Sequence, residues 1–189
     1  LNLPAADAFG MDRVVINIGG LLIGAIETTA EAAVNVVAEL FARPDALAGA
    51  RAAAEAGDDA ALDGYVWEAL RFSPIVAFMF RQAASPFTLA RGTDREKVIG
   101  TGTTLLPLSM SAMFDPDWVE EADAFKPDRP AHAYLHFGHG HHECLGRYVG
   151  GVMIPEIVKR VLLRKEARPL GPVDMGGTAF PQSYRLGLR

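Results

Sequence analysis

The sequence predicts a mainly α-helical fold with a minor β component. A run of about 30 residues from Asp12 to Ala42 contains no helix breaker other than glycine. An amphipathic stretch over about residues 145–164 predicts a second long helix. Between them, β-forming residues in residues 78–108 are interrupted by Gly, Ser and Pro, which is typical of short strands and turns.

The first helix has Asp12 as a suitable N-cap and carries three glycines between positions 19 and 24. Each glycine weakens a helix by about 1 kcal/mol relative to alanine, so the three indicate that a packing partner or a ligand approaches the backbone there. The apolar run over residues 14–26 is shorter than the roughly 20 residues that span a bilayer, and Glu27 follows it. We therefore expect a buried core helix and no transmembrane segment in this chain.

The bounds of the remaining elements are predicted from the proline and glycine residues that interrupt regular structure. Pro44 starts a helix that Gly57 ends, and a third helix, over about residues 60–72, stops before Pro74. Residues 114–143 are rich in Asp, Pro, Gly and His, which favours an extended loop, and the chain ends in a turn and a predicted hairpin.

Composition excludes some classes of function. The formal net charge of −5 argues against a general nucleic-acid binder, which needs a basic face. A single cysteine cannot form an internal disulfide and suits a reducing compartment, and no signal peptide is visible, so we expect a soluble cytoplasmic protein. The chain lacks an initiating Met, and we expect it to be a piece of something longer.

The segment HFGHGHHECLGR holds four of the five histidines and the only cysteine, Cys144. A lone cysteine is most often a small buried hydrophobe. A structural zinc site needs four N or S ligands at regular spacings, and a c-type haem needs two cysteines. A Cys144–His142 nucleophile pair is allowed only in a loop, because side chains at i and i+2 do not face each other on a helix.

The glycines around the cysteine narrow these alternatives. Phe137, Gly140, Cys144 and Gly146 form F-x-x-G-x-x-x-C-x-G, which resembles the haem-ligand loop of the cytochrome P450 family. A thiolate under a flat macrocycle needs a close backbone approach, which glycine permits, and a following helix N-terminus favours its negative charge. The resemblance implies that Cys144 is the axial ligand to the iron of haem b, with Phe137, Gly140 and Gly146 shaping the cofactor-binding loop.

Two further short motifs occur in the order that this family uses. Glu68 and Arg71 in WEALR form its E-x-x-R, and Phe125, Pro127 and Arg129 form its F-x-P-x-R. On its own, the first motif could be a surface ion pair worth under about 1 kcal/mol. The resemblance implies instead a buried structural network of Glu68, Arg71 and Arg129.

The segment GAIETT on the first helix resembles the oxygen-binding stretch of the same family. The resemblance implies that Glu27 and Thr28 are catalytic residues that deliver protons for O–O cleavage. The alternative is a polar interruption in a core helix. Ala25, where the family usually has glycine, is a mild departure.

Two N–H donors carry over by position: Arg81 and His142 match residues that bind the haem propionates in the family. Arg81 as a plain surface cation is the alternative. The other four histidines match no ligand role, and we expect them to be loop and surface residues: His132, His136, His139 and His141. Met113 and Phe114 replace a frequent Asn-Arg of the family, so a loop contact there is expected to differ.

Substrate-facing positions are also implied by the resemblance. They lie on the first helix, after the third helix and in the final turn: Gly19, Gly20, Ile23, Ile75, Val76, Ala77, Phe78, Thr178, Ala179 and Phe180. All are small or apolar, which favours a hydrophobic small-molecule substrate, although core positions look the same.

Taken together, the motifs imply that residues 1–189 are the C-terminal, haem-binding portion of a cytochrome P450-like monooxygenase. Family members are about twice as long, so we expect the N-terminal half to be supplied by the same polypeptide or by a second chain. No Fe–S cysteine cluster or G-x-G-x-x-G fingerprint is present, so electrons must come from a separate protein or domain. The alternatives are a peroxygenase or hydroperoxide-rearranging enzyme and a non-catalytic haem- or metal-binding module.

Overall fold

The computed structural model of the protein describes residues 10–189. The expectation about a signal peptide concerns the first ten residues, of which nine lie outside the described part. The described chain is mostly helical with three small antiparallel sheets, which confirms the predicted fold class. In chain order the elements are α1 (Met11–Phe41), α2 (Pro44–Ala56), α3 (Asp59–Phe72), β1 (Arg81–Gln82), β2 (Phe87–Leu89), β3 (Lys97–Ile99), β4 (Thr104–Leu105), α4 (Ser109–Met113), α5 (Arg147–Leu162), β5 (Arg168–Pro169) and β6 (Leu186–Gly187).

The hydrophobic core lies where α1, α2, α3 and α5 pack against one another. Apolar residues spaced four apart share one face of a helix, and this spacing recurs on all four helices, including Ala46, Ala50 and Ala54 of α2. The resulting buried rows are Ala32, Val36 and Leu40 on α1, Leu62 and Val66 on α3, and Ile154, Val158 and Leu162 on α5. The core therefore follows directly from the helical periodicity of the sequence.

The N-terminal half of α1 lies outside this core. Ile16 is 72% exposed and Ile23 is 69% exposed, whereas the buried residues of α1 lie between Glu31 and Leu40. The prediction of a buried core helix over residues 14–26 is therefore wrong for the described chain, because α3 and α5 cover only the second half of α1. Among residues 10–189, α1 is also the one helix long and apolar enough to cross a membrane by length and composition, a test that core helices of soluble proteins also pass.

The helix ends follow local chemistry. Pro44 is the first residue of α2, and Gly57 ends it with φ of 71°, in the left-handed region. The Asp58 side chain caps α3 by accepting from the N–H of Ala61 at 3.0 Å. Asp12 does not cap α1, because the N-cap residue is Gly10, two residues earlier.

The strands form three two-stranded antiparallel pairs. Strand β1 pairs with β4 (Arg81 opposite Leu105), β2 pairs with β3, and β5 pairs with β6. The loop between α4 and α5 has only single turns of 3-10 helix at Ala131–Ala133 and Gly140–His142. This long loop agrees with the prediction, whereas the short helix α4 was missed.

Candidate functional site

Cys144 lies at the end of a tight loop that leads into α5. Its backbone N–H donates to the carbonyl oxygen of Phe137 at 2.7 Å, and the N–H of Glu143 donates to the carbonyl oxygen of Gly140 at 3.0 Å. These bonds close the loop and leave the Cys144 thiol exposed at its surface.

Glycines keep the approach to the sulfur open. Gly140 has φ of 70°, which side-chain-bearing residues rarely adopt, and a Cβ built there would meet nothing within 4 Å. A Cβ at Gly146 would lie 3.7 Å from the Cys144 sulfur. Gly140 therefore serves the turn, and Gly146 leaves room beside the thiol for a large flat group.

Helix α5 begins next to the thiol. Gly146 is the N-cap residue, and the N–H of Arg147 donates to the carbonyl oxygen of Cys144 at 3.2 Å. The N-terminal end of a helix carries partial positive charge, which favours an anionic sulfur. The loop is therefore suited to present a thiolate to a metal centre.

Phe137 connects the loop to the core. Its ring packs edge-on against Trp67 of α3, with the ring centroids 5.8 Å apart. A Cβ built at Gly150 of α5 would lie 3.1 Å from the Phe137 ring, so the ring occupies the space that a side chain would need. The loop is thus held between α3 and α5.

The Glu68 carboxylate is the centre of a buried ion network. Arg71 donates to it through Nε at 2.9 Å and Nη2 at 2.7 Å, and Arg129 donates through Nε at 3.1 Å. Glu68 and Arg71 are fully buried, so the surface ion-pair alternative is wrong. Burial alone would raise the pKa of Glu68, but hydrogen bonds from Arg71, the Lys126 N–H and Arg129 outweigh it and hold the pKa below its usual value.

This network ties α3 to the long loop. Arg71 also donates to the carbonyl oxygens of Met113 and Ala124, each at 3.1 Å. Arg129 donates to the carbonyl oxygens of Glu121 and Ala124 at 2.7 and 2.8 Å. Each guanidinium therefore binds at least two carbonyl oxygens of the loop in addition to the Glu68 carboxylate.

His136 lies in the loop, as expected, but it is half-buried against α3, so the expectation of a surface residue is wrong. Its Nε2 lies 2.8 Å from the Trp67 carbonyl oxygen, and its ring stacks on Tyr134 at 5.3 Å. Burial lowers the pKa of His136 to about 4. The hydrogen bond to the Trp67 carbonyl raises this pKa, but by less than burial lowers it. The Tyr134 hydroxyl in turn donates to Glu68 at 3.3 Å, so His136 and Tyr134 extend the buried network towards the cysteine loop.

Sequence reasoning missed these two members of the network. Their only sequence signal was an aromatic or imidazole side chain at alternate positions, 134 and 136, just before Phe137. Gly64, whose Cβ would lie 2.0 Å from the Pro127 carbonyl oxygen, was also overlooked.

Glu27 and Thr28 lie on the exposed half of α1. The Thr28 hydroxyl donates to the carbonyl oxygen of Gly24, one turn earlier. No hydrogen bond or ring contact of the described residues joins either side chain to the Cys144 loop. One turn further along α1, the pKa of the buried Glu31 is raised. Burial is the larger cause, and the negative charge of Glu27 is the smaller one.

Arg81 and His142 present side chains with few protein partners. Arg81 donates to the carbonyl oxygen of Phe80 at 2.8 Å and lies 3.6 Å from the Met79 sulfur. His142 is exposed, and its ring lies 5.6 Å from that of His141. Within residues 10–189 neither side chain contacts a carboxylate, so both retain donors for an anionic group.

The predicted substrate-facing residues fall into two sets. Ile75, Ala179 and Phe180 line one shallow cavity of about 230 Å³ together with Glu31. The remainder do not line it: Gly19, Gly20, Ile23, Val76, Ala77, Phe78 and Thr178. Gly20 and Ile23 are exposed on α1. The structure therefore brings the final turn to the segment after α3, but not to the first half of α1.

The described residues contain no group of three or more His, Cys, Asp or Glu side chains arranged to hold a metal ion. His132, His139 and His141 are exposed and do not converge.

Comparison with known proteins places these features in one family. The sequence profile described as "Cytochrome P450" matches residues 4–174. The chain is 35% identical over 145 residues to cytochrome P450 monooxygenase PikC of Streptomyces venezuelae, covering 76% of this chain and 31% of that protein. It is 32% identical over 119 residues to a bifunctional dioxygenase–epoxy alcohol synthase of Fusarium oxysporum, covering 62% of this chain and 9% of that protein.

The fold agrees with this placement. The crystal structure of CYP164A2 of Mycobacterium smegmatis with econazole bound superposes with a TM-score of 0.73 at 27% identity, covering 89% of this chain and 40% of that chain. The chain spans less than half the length of these relatives.

Proposed function

The chain belongs to the cytochrome P450 family, and from this premise we propose that it is the haem-binding part of a monooxygenase that oxygenates a hydrophobic organic substrate with O2. One observation carries the proposal: the exposed Cys144 thiol at the end of a glycine-containing loop, directly before the N-terminus of α5. This arrangement places the sulfur beside the positive end of a helix with open space next to it, as ligation of a haem iron by sulfur requires.

The loop fits haem b. Cys144 would hold the iron, while Gly140 permits the turn, Gly146 leaves room beside the sulfur and Phe137 fixes the loop on α3. When bound, a thiolate-ligated haem supplies an iron centre that favours O–O cleavage. The donors of Arg81 and His142, which contact no carboxylate in the described chain, would bind the two propionates.

Glu27 and Thr28 would take part in proton transfer. Glu27 is exposed and can exchange protons with solvent, and the Thr28 oxygen keeps acceptor capacity because its own proton is donated to Gly24. We propose that the two side chains hold and pass the protons that oxygen activation consumes.

The substrate would lie against small and apolar residues. Those that support this are Gly20, Ile23, Val76, Ala77, Ala179 and Phe180, of which the last two line the cavity beside Glu31. Electrons would come from a separate donor protein or domain.

The exposed apolar face of α1 supports a further part of the proposal. Exposed apolar patches of this kind mark surfaces that contact something else. We propose that the haem and the remaining helices of the family fold cover this face, in the same polypeptide or a second chain, and that the assembled protein is soluble and cytoplasmic. Size-exclusion chromatography with mass measurement tests this, because a stable haem-loaded monomer of this chain alone would contradict it.

The proposed function is tested by the carbon-monoxide difference spectrum of the reduced protein, assembled with the segments that cover α1 and loaded with haem. The wild type should give the Soret band of a thiolate-ligated haem, and Cys144→His should move it to the band of histidine ligation. His139→Ala, which alters an exposed histidine of the same segment, should leave it unchanged. A wild-type band typical of histidine ligation, or no haem binding, would refute the proposal.

A second candidate, a peroxygenase or hydroperoxide-rearranging enzyme, is favoured by the similarity to the fungal protein whose name includes epoxy alcohol synthase. The Glu27–Thr28 pair favours O2 activation instead, because it provides a proton path. Turnover with a hydroperoxide alone, compared with turnover with a reductant and O2, separates the two candidates.

A further inference from the structure

We propose that His136 is a positioning residue that fixes the Cys144 loop to helix α3 through its hydrogen bond to the Trp67 carbonyl oxygen. The inference rests on the proposed role of Cys144 as haem ligand. It concerns a residue outside the ligand motif, which is linked to the Glu68–Arg71–Arg129 network through the stacked ring of Tyr134.

The geometry gives His136 contacts on two sides. Its Nε2 lies 2.8 Å from the Trp67 carbonyl oxygen, and its ring stacks on Tyr134 with the centroids 5.3 Å apart and the planes at 22°. The Trp67 ring lies 6.0 Å away and also packs edge-on against Phe137 at 5.8 Å. His136 and Phe137 are neighbours in the chain, so both anchor the start of the loop to the same turn of α3.

The hydrogen bond defines the state of the imidazole. A carbonyl oxygen can only accept, so Nε2 carries the proton and a neutral ring has its lone pair on Nδ1. Burial keeps the pKa of His136 low, so the ring is neutral near pH 7 and bonds to Trp67 as a neutral donor. The contact is therefore a fixed neutral hydrogen bond and not a charge interaction with Glu68.

The anchor acts directly on the cysteine. The Phe137 carbonyl oxygen accepts from the Cys144 N–H at 2.7 Å, so a shift of residues 136 and 137 moves the backbone that carries the thiol. Without the bond to Trp67, the contacts that join residues 136 and 137 to α3 in the described chain are ring packing, which is less directional than a hydrogen bond, and the nearest remaining bonds are those of Tyr134 and Leu135. We expect the sulfur then to occupy a wider range of positions.

Paired substitutions separate the hydrogen bond from packing. His136→Gln keeps a side-chain N–H near the position of Nε2 and removes the ring, whereas His136→Phe keeps a ring and removes the donor. His136→Asn has the chemistry of glutamine but is one methylene shorter and cannot reach the Trp67 carbonyl. His132→Ala, at an exposed histidine, is the matched control.

Two readouts report on the sulfur without measuring turnover. In the intact haem-loaded protein, the reduced carbon-monoxide spectrum gives the ratio of non-thiolate to thiolate ligation. In the haem-free protein, the rate of Cys144 alkylation reports on the exposure and environment of the thiol. We expect His136→Phe and His136→Asn to raise the ligation ratio roughly tenfold, as for the loss of one hydrogen bond to a buried carbonyl, and to change the alkylation rate, while His136→Gln stays near the wild type.

The outcomes are distinguishable. If wild-type protein shows no thiolate band, the proposed function fails, and the inference fails with it. If the wild type shows the band and His136→Phe and His136→Asn match it, the inference alone is overturned. If His136→Phe does not fold by circular dichroism, the comparison of His136→Gln with His136→Asn still decides, because equal spectra for these two variants would overturn the role of the hydrogen bond.

Discussion

The close contact between Gly64 and the Pro127 carbonyl allows a quantitative test of the packing around Glu68. A methyl group at position 64 would lie 2.0 Å from the Pro127 carbonyl oxygen, whereas a carbon–oxygen contact needs about 3.3 Å. In Gly64→Ala the loop segment must therefore retreat from α3 by about 1.3 Å. Gly64 and Glu68 share one face of α3, so this movement also pulls the Lys126 N–H away from the Glu68 carboxylate, to which it now donates at 2.8 Å.

The size of the effect follows from three contributions. Overpacking costs about 1–3 kcal/mol, and a lost hydrogen bond to a charged group costs about 1.5–3 kcal/mol. Alanine in place of glycine inside a helix stabilises the folded state by about 1 kcal/mol. We therefore expect Gly64→Ala to lower the free energy of unfolding by about 3 kcal/mol, the middle of the sum of these ranges.

The assay is urea denaturation of the protein, followed by far-UV circular dichroism. Gly151→Ala is the matched control, because Gly151 also lies inside a helix but a Cβ there meets nothing within 4 Å. The control should gain up to about 1 kcal/mol. A Gly64→Ala variant as stable as the wild type, alongside a control that behaves as expected, would refute the close packing of Pro127 on α3.

Three further predictions use the same measurement. Glu68→Gln should cost about 3–5 kcal/mol, because it leaves the buried Arg71 without its counter-ion, and a cost below about 1 kcal/mol contradicts this. Stability should fall as the pH drops from 6.5 towards about 4, because the unfolded chain protonates His136 first, and His136→Gln should lose that part of the pH dependence. Below 4.5 the loss should continue in both proteins as the Glu68 carboxylate, whose folded-state pKa is lowered, becomes protonated. Gly140→Ala should cost about 1–2 kcal/mol, since φ of 70° strains alanine, and an unchanged urea midpoint argues against that turn.

Most helix bounds could be predicted because they depend on neighbouring residues. Pro44 and Gly57 bound α2 as expected, and the predicted ends of α5 differ from the observed ones by two residues. The cysteine loop could also be found, since its turn depends on glycine spacing within a few residues of Cys144.

Burial was harder to predict because it depends on distant parts of the chain. The E-x-x-R spacing is the same for an exposed pair and for the fully buried Glu68–Arg71 pair. Hydropathy shows that residues 14–26 favour an apolar environment, but it does not show which segment covers them, and in the described chain they are mostly exposed.

The sequence by itself determined the mainly helical fold, the loop around Cys144 and the family, because these depend on torsion preferences and on short spacings along the chain. Only the tertiary structure decided that Tyr134 bonds to Glu68 from 66 residues away and that His136 bonds to the Trp67 carbonyl from 69 residues away. The physical reason is that a side chain's partner across such separations is chosen by how the helices pack, which no local pattern records.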